Sequence, residues 1–260
     1  MQSENRVHTS YFEFFPVDDD ADLMDESYRI RYRVYCEERH FLDPAPYAEG
    51  LEQDQFDPNS VHLLGRHRFL GTPAATARLV RASPLGFPIQ RHCRFDRDHD
   101  HLSEPGGPGC EGYAEISRVA ISKLFRQRID DDPIWGGPPR ARAMQGAGGA
   151  PPPVVNPEEA GSEILAGLNK CIYHQSKKLG VTHWLVAMER GLYVMLKRIG
   201  YLYRPIGPTV DYYGPVTPYI ALVEDIERSL CIKHPRAFAY WMDGLEPQFR
   251  PPYELWQARG

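Results

Sequence analysis

The chain has 260 residues, 42% of them apolar and 25% charged, and a formal net charge of -5. Those values describe a globular protein with enough chain to bury a substantial core, and they exclude disorder of the whole chain. The acid excess also argues against a nucleic-acid binder, whose surface is usually basic.

Tyr11 to Phe15 is an aromatic run with the character of a strand or a docked arm. The acidic stretch Asp18-Asp19-Asp20-Ala21-Asp22 comes next, where carboxylates suit the positive end of a helix dipole. Leu23, Ser27, Ile30 and Val34 recur at helical spacing and predict a helix over 22–38, with Tyr28, Arg31 and Tyr35 on a neighbouring stripe. Pro44 and Pro46 then break regular structure. Strands are expected at 61–64 and 69–80.

Residues 83–112 are irregular and rich in Pro, Gly, His and Asp. Asp96, Asp98 and Asp100 resemble the start of a calcium loop, but His101 and Gly107 stand where an EF-hand needs Gly and Glu. Ala114 to Ile121 predicts a strand. Residues 136–160 carry Gly-Gly-Pro-Pro, Gly-Ala-Gly-Gly-Ala and Pro-Pro-Pro, the composition of an insertion with little to bury.

An amphipathic helix follows, marked by Ile164, Leu165, Leu168, Cys171, Ile172 and Leu179 and ended by Gly180. Trp184 to Met188 suits a buried central strand, and Leu192, Leu196 and Ile199 mark a second helix stopped by Gly200. Closing strands are expected at 201–203 and 220–223, then an aromatic C-terminal tail over 226–260. The order predicts an α/β (α+β) sheet covered by helices, in one domain over 1–260.

Cys36, Cys93, Cys110, Cys171 and Cys231 form no C-x-x-C pair, and the ten histidines show no ligand spacing, so neither a disulfide frame nor a metal site is expected. With no signal-like N-terminus and no run of about 18 apolar residues, the expected compartment is the cytoplasm.

Five elements stand in a telling order: Arg31 with Tyr35 four residues on, then Phe41, the pair Asp54 and Asp57, Arg78, and Glu115-Ile116-Ser117-Arg118. Together they resemble the acyl-homoserine-lactone (autoinducer) synthases and the long-chain N-acyl amino acid synthases, a branch of the N-acetyltransferase-like (GNAT) superfamily. Leu196 to Tyr201, a glycine-ended helix followed by an aromatic, is similar to the C-terminal part of that fold. Tyr35 and Phe41 depart from the autoinducer pattern, Phe41 standing where those enzymes carry Trp, at positions near their acceptor site. The 136–160 insertion and long tail are more similar to the acyltransferases associated with the PEP-CTERM/exosortase systems of bacteria.

The resemblance implies a GNAT-like mixed sheet and transfer of a fatty acyl group from acyl carrier protein, or from acyl-coenzyme A, to an amino-acid amine. It implies no tightly bound cofactor. Amide formation from a thioester needs a modest base and a stabilised oxyanion, and Glu115 with Ser117 fit those roles. Strand alternation puts Glu115 and Ser117 on one face and Arg118 on the other. Arg31, Tyr35, Phe41, Asp54, Asp57, Arg78 and Arg118 are the expected substrate-binding residues; an ion-pair network is the alternative for the charged ones. The strand runs into Ser122-Lys123-Leu124-Phe125-Arg126-Gln127-Arg128, with no glycine to cradle a diphosphate. Lys123, Arg126 and Arg128 are instead placed to steer an acidic carrier protein. A homoserine-lactone synthase using S-adenosylmethionine and a non-catalytic lipid- or protein-binding module remain as alternatives.

Overall fold

The computed structural model describes residues 6–104, 109–126 and 157–257. They pack as two compact units, one from Met1–Glu52, Leu63–Thr76 and Ala120–Asn169, the other from Gln53–His62, Ala77–Val119 and Lys170–Gly260.

The chain opens with β1 (Val7–His8) and β2 (Phe12–Pro16), then α1 (Ala21–Tyr32). Asp20 caps α1, its Oδ1 accepting from the N–H groups of Asp22 and Leu23, so the acidic stretch does serve a helix start. The helical path reaches the expected end, but Arg33–Glu38 winds as a π-helix. Next come β3 (Ser60–His67) and β4 (Pro73–Arg81). The strand expected from residue 69 starts four residues later. His67 Nδ1 accepts from the N–H groups of Phe69 and Leu70, and Gly71 takes φ 66°, which makes 67–72 a tight turn.

A short α2 (Ile89–His92) interrupts the irregular region before β5 (Tyr113–Ile121) and α3 (Lys123–Arg126). The expected insertion lies outside the described residues except at its end, where 157–160 already belong to α4 (Pro157–Lys178). Then follow β6 (His183–Met188), α5 (Arg190–Arg198), β7 (Arg204–Pro205), β8 (Val210–Asp211) and β9 (Pro215–Leu222). Tyr201 and Tyr203 form no strand; they are buried aromatics ahead of β7. The tail is helical, with α6 (Val223–Lys233), α7 (Pro235–Met242) and α8 (Tyr253–Gln257), and it buries Phe238, Trp241 and Trp256.

The strands form one mixed sheet in the order β1-β2-β3-β4-β5-β6-β9-β7, with β8 also on β9. β1–β2, β2–β3, β6–β9, β7–β9 and β8–β9 run antiparallel, and β5–β6 is parallel. This α/β sheet flanked by helices is the GNAT-like architecture expected.

Each unit has its own core. In the first, Phe15, Val17, Ile30, Val34, Leu64 and Ala120 pack together, and α4 crosses β2 so closely that a Cβ at Gly167 would overlap the Phe14 ring. In the second, a cluster including Phe56, Val80, Phe87, Ile89, Cys93 and Leu185 lies beside the start of β5. The β5–β6 register pairs Tyr113 with His183, Ala114 with Trp184 and Glu115 with Leu185, and stops there although both strands continue. The parting of two parallel strands just past Glu115 is the feature that positions the site.

Candidate functional site

Glu115 sits at that parting, 3% exposed, its Oε2 accepting the N–H of Ile89 at 2.8 Å. Burial pushes its carboxyl up to about 8; the Ile89 N–H and the charges of Arg78 and Arg118 offset only part of that cost. A carboxyl of this kind is poised to exchange a proton near neutral pH.

Two residues on, Ser117 Oγ accepts from Arg78 Nε at 3.1 Å. Arg78 comes from β4 and is 1% exposed. Its Nη1 donates to Asp54 at 2.6 Å and to Asp57 at 2.7 Å, while its Nη2 is buried with no acceptor among the described residues. Asp54 and Asp57 are arranged by their own loop: Asp54 N–H donates to Asp57 Oδ2 at 2.6 Å, and Phe56 N–H to Asp54 Oδ1 at 2.8 Å. Burial alone would raise the Asp54 carboxyl, but Arg78 and then Arg118 outweigh it and hold it below the usual value.

Arg118 departs from the expected alternation. Its φ of 49° is left-handed, a strained conformation for a residue with a side chain inside a strand. The kink cancels the alternation of faces, so Arg118 does not pack behind the sheet. Its Nη2 donates to Asp54 at 3.2 Å and its guanidinium also meets the phenol oxygen of Tyr212. Asp54, Asp57, Arg78, Ser117 and Arg118 therefore form one connected network within the second unit, and the charge of Arg78 acts on neighbouring Glu115.

Arg31 belongs to the first unit. Its carboxylate partner is Glu52, and both side chains are fully buried. Tyr35 and Phe41 come together in that unit, ring centroids 6.2 Å apart, with Phe41 N–H on the Tyr35 carbonyl. Lys123 is exposed, its backbone N–H near Glu38; Arg126 ends α3, and Arg128 lies outside the described residues.

Sequence reasoning passed over four residues. Glu52 takes Arg31, and His62 donates from Nε2 to Asp57 Oδ1 at 3.0 Å. Tyr212 holds Arg118, and His92 stacks on Tyr212 with centroids 3.8 Å apart and planes at 9°. Burial first, then Arg118 and Arg91, lowers the His92 pKa and keeps the ring neutral. The one available signal was Tyr212-Tyr213-Gly214, an aromatic pair before a turn glycine. Among the described residues no cluster of His, Cys, Asp or Glu could hold a metal ion.

Residues 30–135 match the family model of the acetyltransferase (GNAT) domain, which marks that stretch as an acyltransferase domain. No curated protein is matched by the sequence. Several solved structures are similar. TofI, in a ternary complex with an inhibitor and MTA, is 18% identical at TM-score 0.55, covering 91% of this chain and 99% of its own. BjaI, a CoA-dependent acyl-homoserine lactone synthase with SAM and isopentyl-CoA, is 15% identical at TM-score 0.53, covering 88% and 84%. FeeM, an N-acyl amino acid synthase from uncultured soil microbes, is 13% identical at TM-score 0.53, covering 88% and 98%. At these identities the likeness is one of fold.

Proposed function

We propose that this acyltransferase moves a long-chain fatty acyl group from acyl carrier protein onto the amine of an amino acid, giving an N-acyl amino acid. The observation that carries the reading is Glu115: a buried carboxyl pushed up to about 8, two residues from a serine held by a buried arginine. An α-amino group has a pKa of about 8, so amine and base are matched and proton transfer between them is nearly thermoneutral.

In this reading ionised Glu115 takes a proton from the acceptor ammonium. The amine nitrogen attacks the thioester carbonyl, forming the C–N bond and an oxyanion. Ser117 Oγ already accepts from Arg78, so its O–H is left to donate to that oxyanion. The C–S bond then breaks, the thiolate takes the proton held by Glu115, and the nitrogen gives up its second proton through the freed Glu115 carboxylate to solvent, leaving a neutral amide and a thiol. The parting of β5 and β6 is the place for the thioester arm.

A fold shared with FeeM and with acyl-homoserine lactone synthases supports this chemistry. Exposed Lys123, with Arg126 and Arg128 next in sequence, supports docking of an acidic carrier protein in the cytoplasm. The composition of 136–160 and the long tail support a place among the acyltransferases of PEP-CTERM/exosortase systems.

Mass spectrometry of lipid extracts from a bacterial host expressing the chain, beside Glu115→Ala, tests this. A new N-acyl amino acid made only by the native chain is the expected result, and it would identify acceptor and chain length. Acyl-homoserine lactones in its place would move the acceptor to S-adenosylmethionine. A folded protein that makes neither product would overturn the reading.

A further inference from the structure

Three arginines belong to the motif set, and they differ in what can reach them. The side chains of Arg31 and Arg78 are fully buried, the first against Glu52, the second against Asp54 and Asp57. Arg118 is 10% exposed at its side chain, and its Nη2 meets Asp54 Oδ2 at 3.2 Å. Its left-handed backbone turns it towards that network, and Tyr212 fixes its other side.

Tyr212 is itself built into place. It sits at the tip of the β8–β9 hairpin, where its N–H donates to the Gly214 carbonyl and the Gly214 N–H donates to Asp211 Oδ1. Gly214 takes φ 107°, which a side chain there would strain. His92, from α2, lies flat on the Tyr212 ring. Two separate elements thus converge to present one reachable guanidinium, three residues along β5 from Glu115.

We propose that Arg118, presented by Tyr212 and His92, receives the carboxylate of an α-amino acid acceptor. This rests on the acyltransferase reading and names its acceptor class. An arginine fork matches a carboxylate in both geometry and charge. An amino-acid carboxylate held at Arg118 leaves its own amine two bonds away, with Glu115 three residues along the same strand. Tyr212 and His92 act through Arg118 and are positioning residues.

The test uses the purified full chain, palmitoyl-acyl carrier protein and each of the twenty amino acids, with product read by mass spectrometry. Every acceptor that reacts is then compared with its own carboxamide. The native chain is expected to favour the acid over the amide by at least about 30-fold in kcat/KM, the scale of a charge-assisted pair. Arg118→Gln should bring that ratio to within about threefold, the loss lying in KM for the acid with KM for the donor unchanged. Arg118→Lys should fall between the two and serves as the second variant should Arg118→Gln not fold. Tyr212→Phe, which keeps the stack on His92 and loses only the hydroxyl, should cut the ratio about fivefold. Equal rates for acid and amide in the native chain, or an unchanged ratio in both Arg118 variants, would overturn this proposal and leave the acyltransferase reading standing. No turnover of any acceptor overturns both.

Discussion

Arg31 sits in the first unit with its side chain out of solvent, facing a Glu52 that is equally buried. Arg78 sits in the second, just as buried, but bound to two aspartates of which Asp54 is 21% exposed, and with one nitrogen lacking an acceptor among the described residues. Both residues carry the same fixed charge and both come from the same motif. One meets a carboxylate as closed to solvent as itself. The other ends in a network with an unmet donor, a strained neighbour at Arg118 and an up-shifted carboxyl at Glu115. The contrast teaches that burial of a charge does not separate structure from function. What separates them is whether the network is complete without a substrate.

The sharpest way to widen that contrast is Glu115→Gln. The substitution removes the base and should lower kcat by about 10²–10⁴-fold. It should also leave the protein more stable than the native chain at pH 8.5. A folded carboxyl raised from 4.5 to about 8 binds its proton more tightly than the unfolded one. Its contribution is therefore fully present below 4.5 and is lost as pH rises towards 8. The native chain should lose up to about 1.4 kcal/mol per pH unit across that window, and Glu115→Gln should not. Thermal unfolding at pH 5, 7 and 8.5 reads the difference; native and variant curves that stay parallel would remove the strained carboxyl from the argument. The kcat of the native chain should rise over the same range as Glu115 ionises.

The second test breaks the comparison from the other side. Arg31→Met removes the buried cation that faces Glu52, and should destabilise the fold by about 3–5 kcal/mol. The double change Arg31→Met with Glu52→Leu should recover most of that loss. Activity measured in the recovered protein then decides the role of Arg31: retained turnover makes it structural, and lost turnover returns it to the substrate.

Much of this was legible in the sequence because it rests on local rules. The spacing of Leu23, Ser27, Ile30 and Val34 gave the first helix, Gly180 and Gly200 gave helix ends, and Glu115-Ile116-Ser117-Arg118 lay on a strand as expected. The failures have causes that no spacing pattern encodes. The strand expected from residue 69 gave way to a turn because His67 caps two N–H groups with its side chain. Arg118 left its expected face because of a single dihedral that no alternation pattern encodes. Glu52 was invisible as the partner of Arg31 because a carboxylate 21 residues away is selected by packing, and Tyr212 reaches Arg118 from a hairpin nearly a hundred residues downstream.

Asp54→Asn is the mildest probe, and it isolates the open network from its own acid. Asp54 bridges Arg78 and Arg118 as an ion, and its folded carboxyl is held below 3.8. A depressed carboxyl stabilises above its unfolded pKa and loses that contribution as pH falls through the folded value. The variant should thus cost about 1–3 kcal/mol at pH 7, the worth of hydrogen bonds to an ion, and the gap to the native chain should close below pH 3.8. Urea unfolding at pH 7 and pH 3 measures both points. A gap that persists at acid pH would mean that the aspartate is held by shape and not by charge. The second network would then be as closed as the pair between Arg31 and Glu52, and the distinction between them would rest on Glu115 alone.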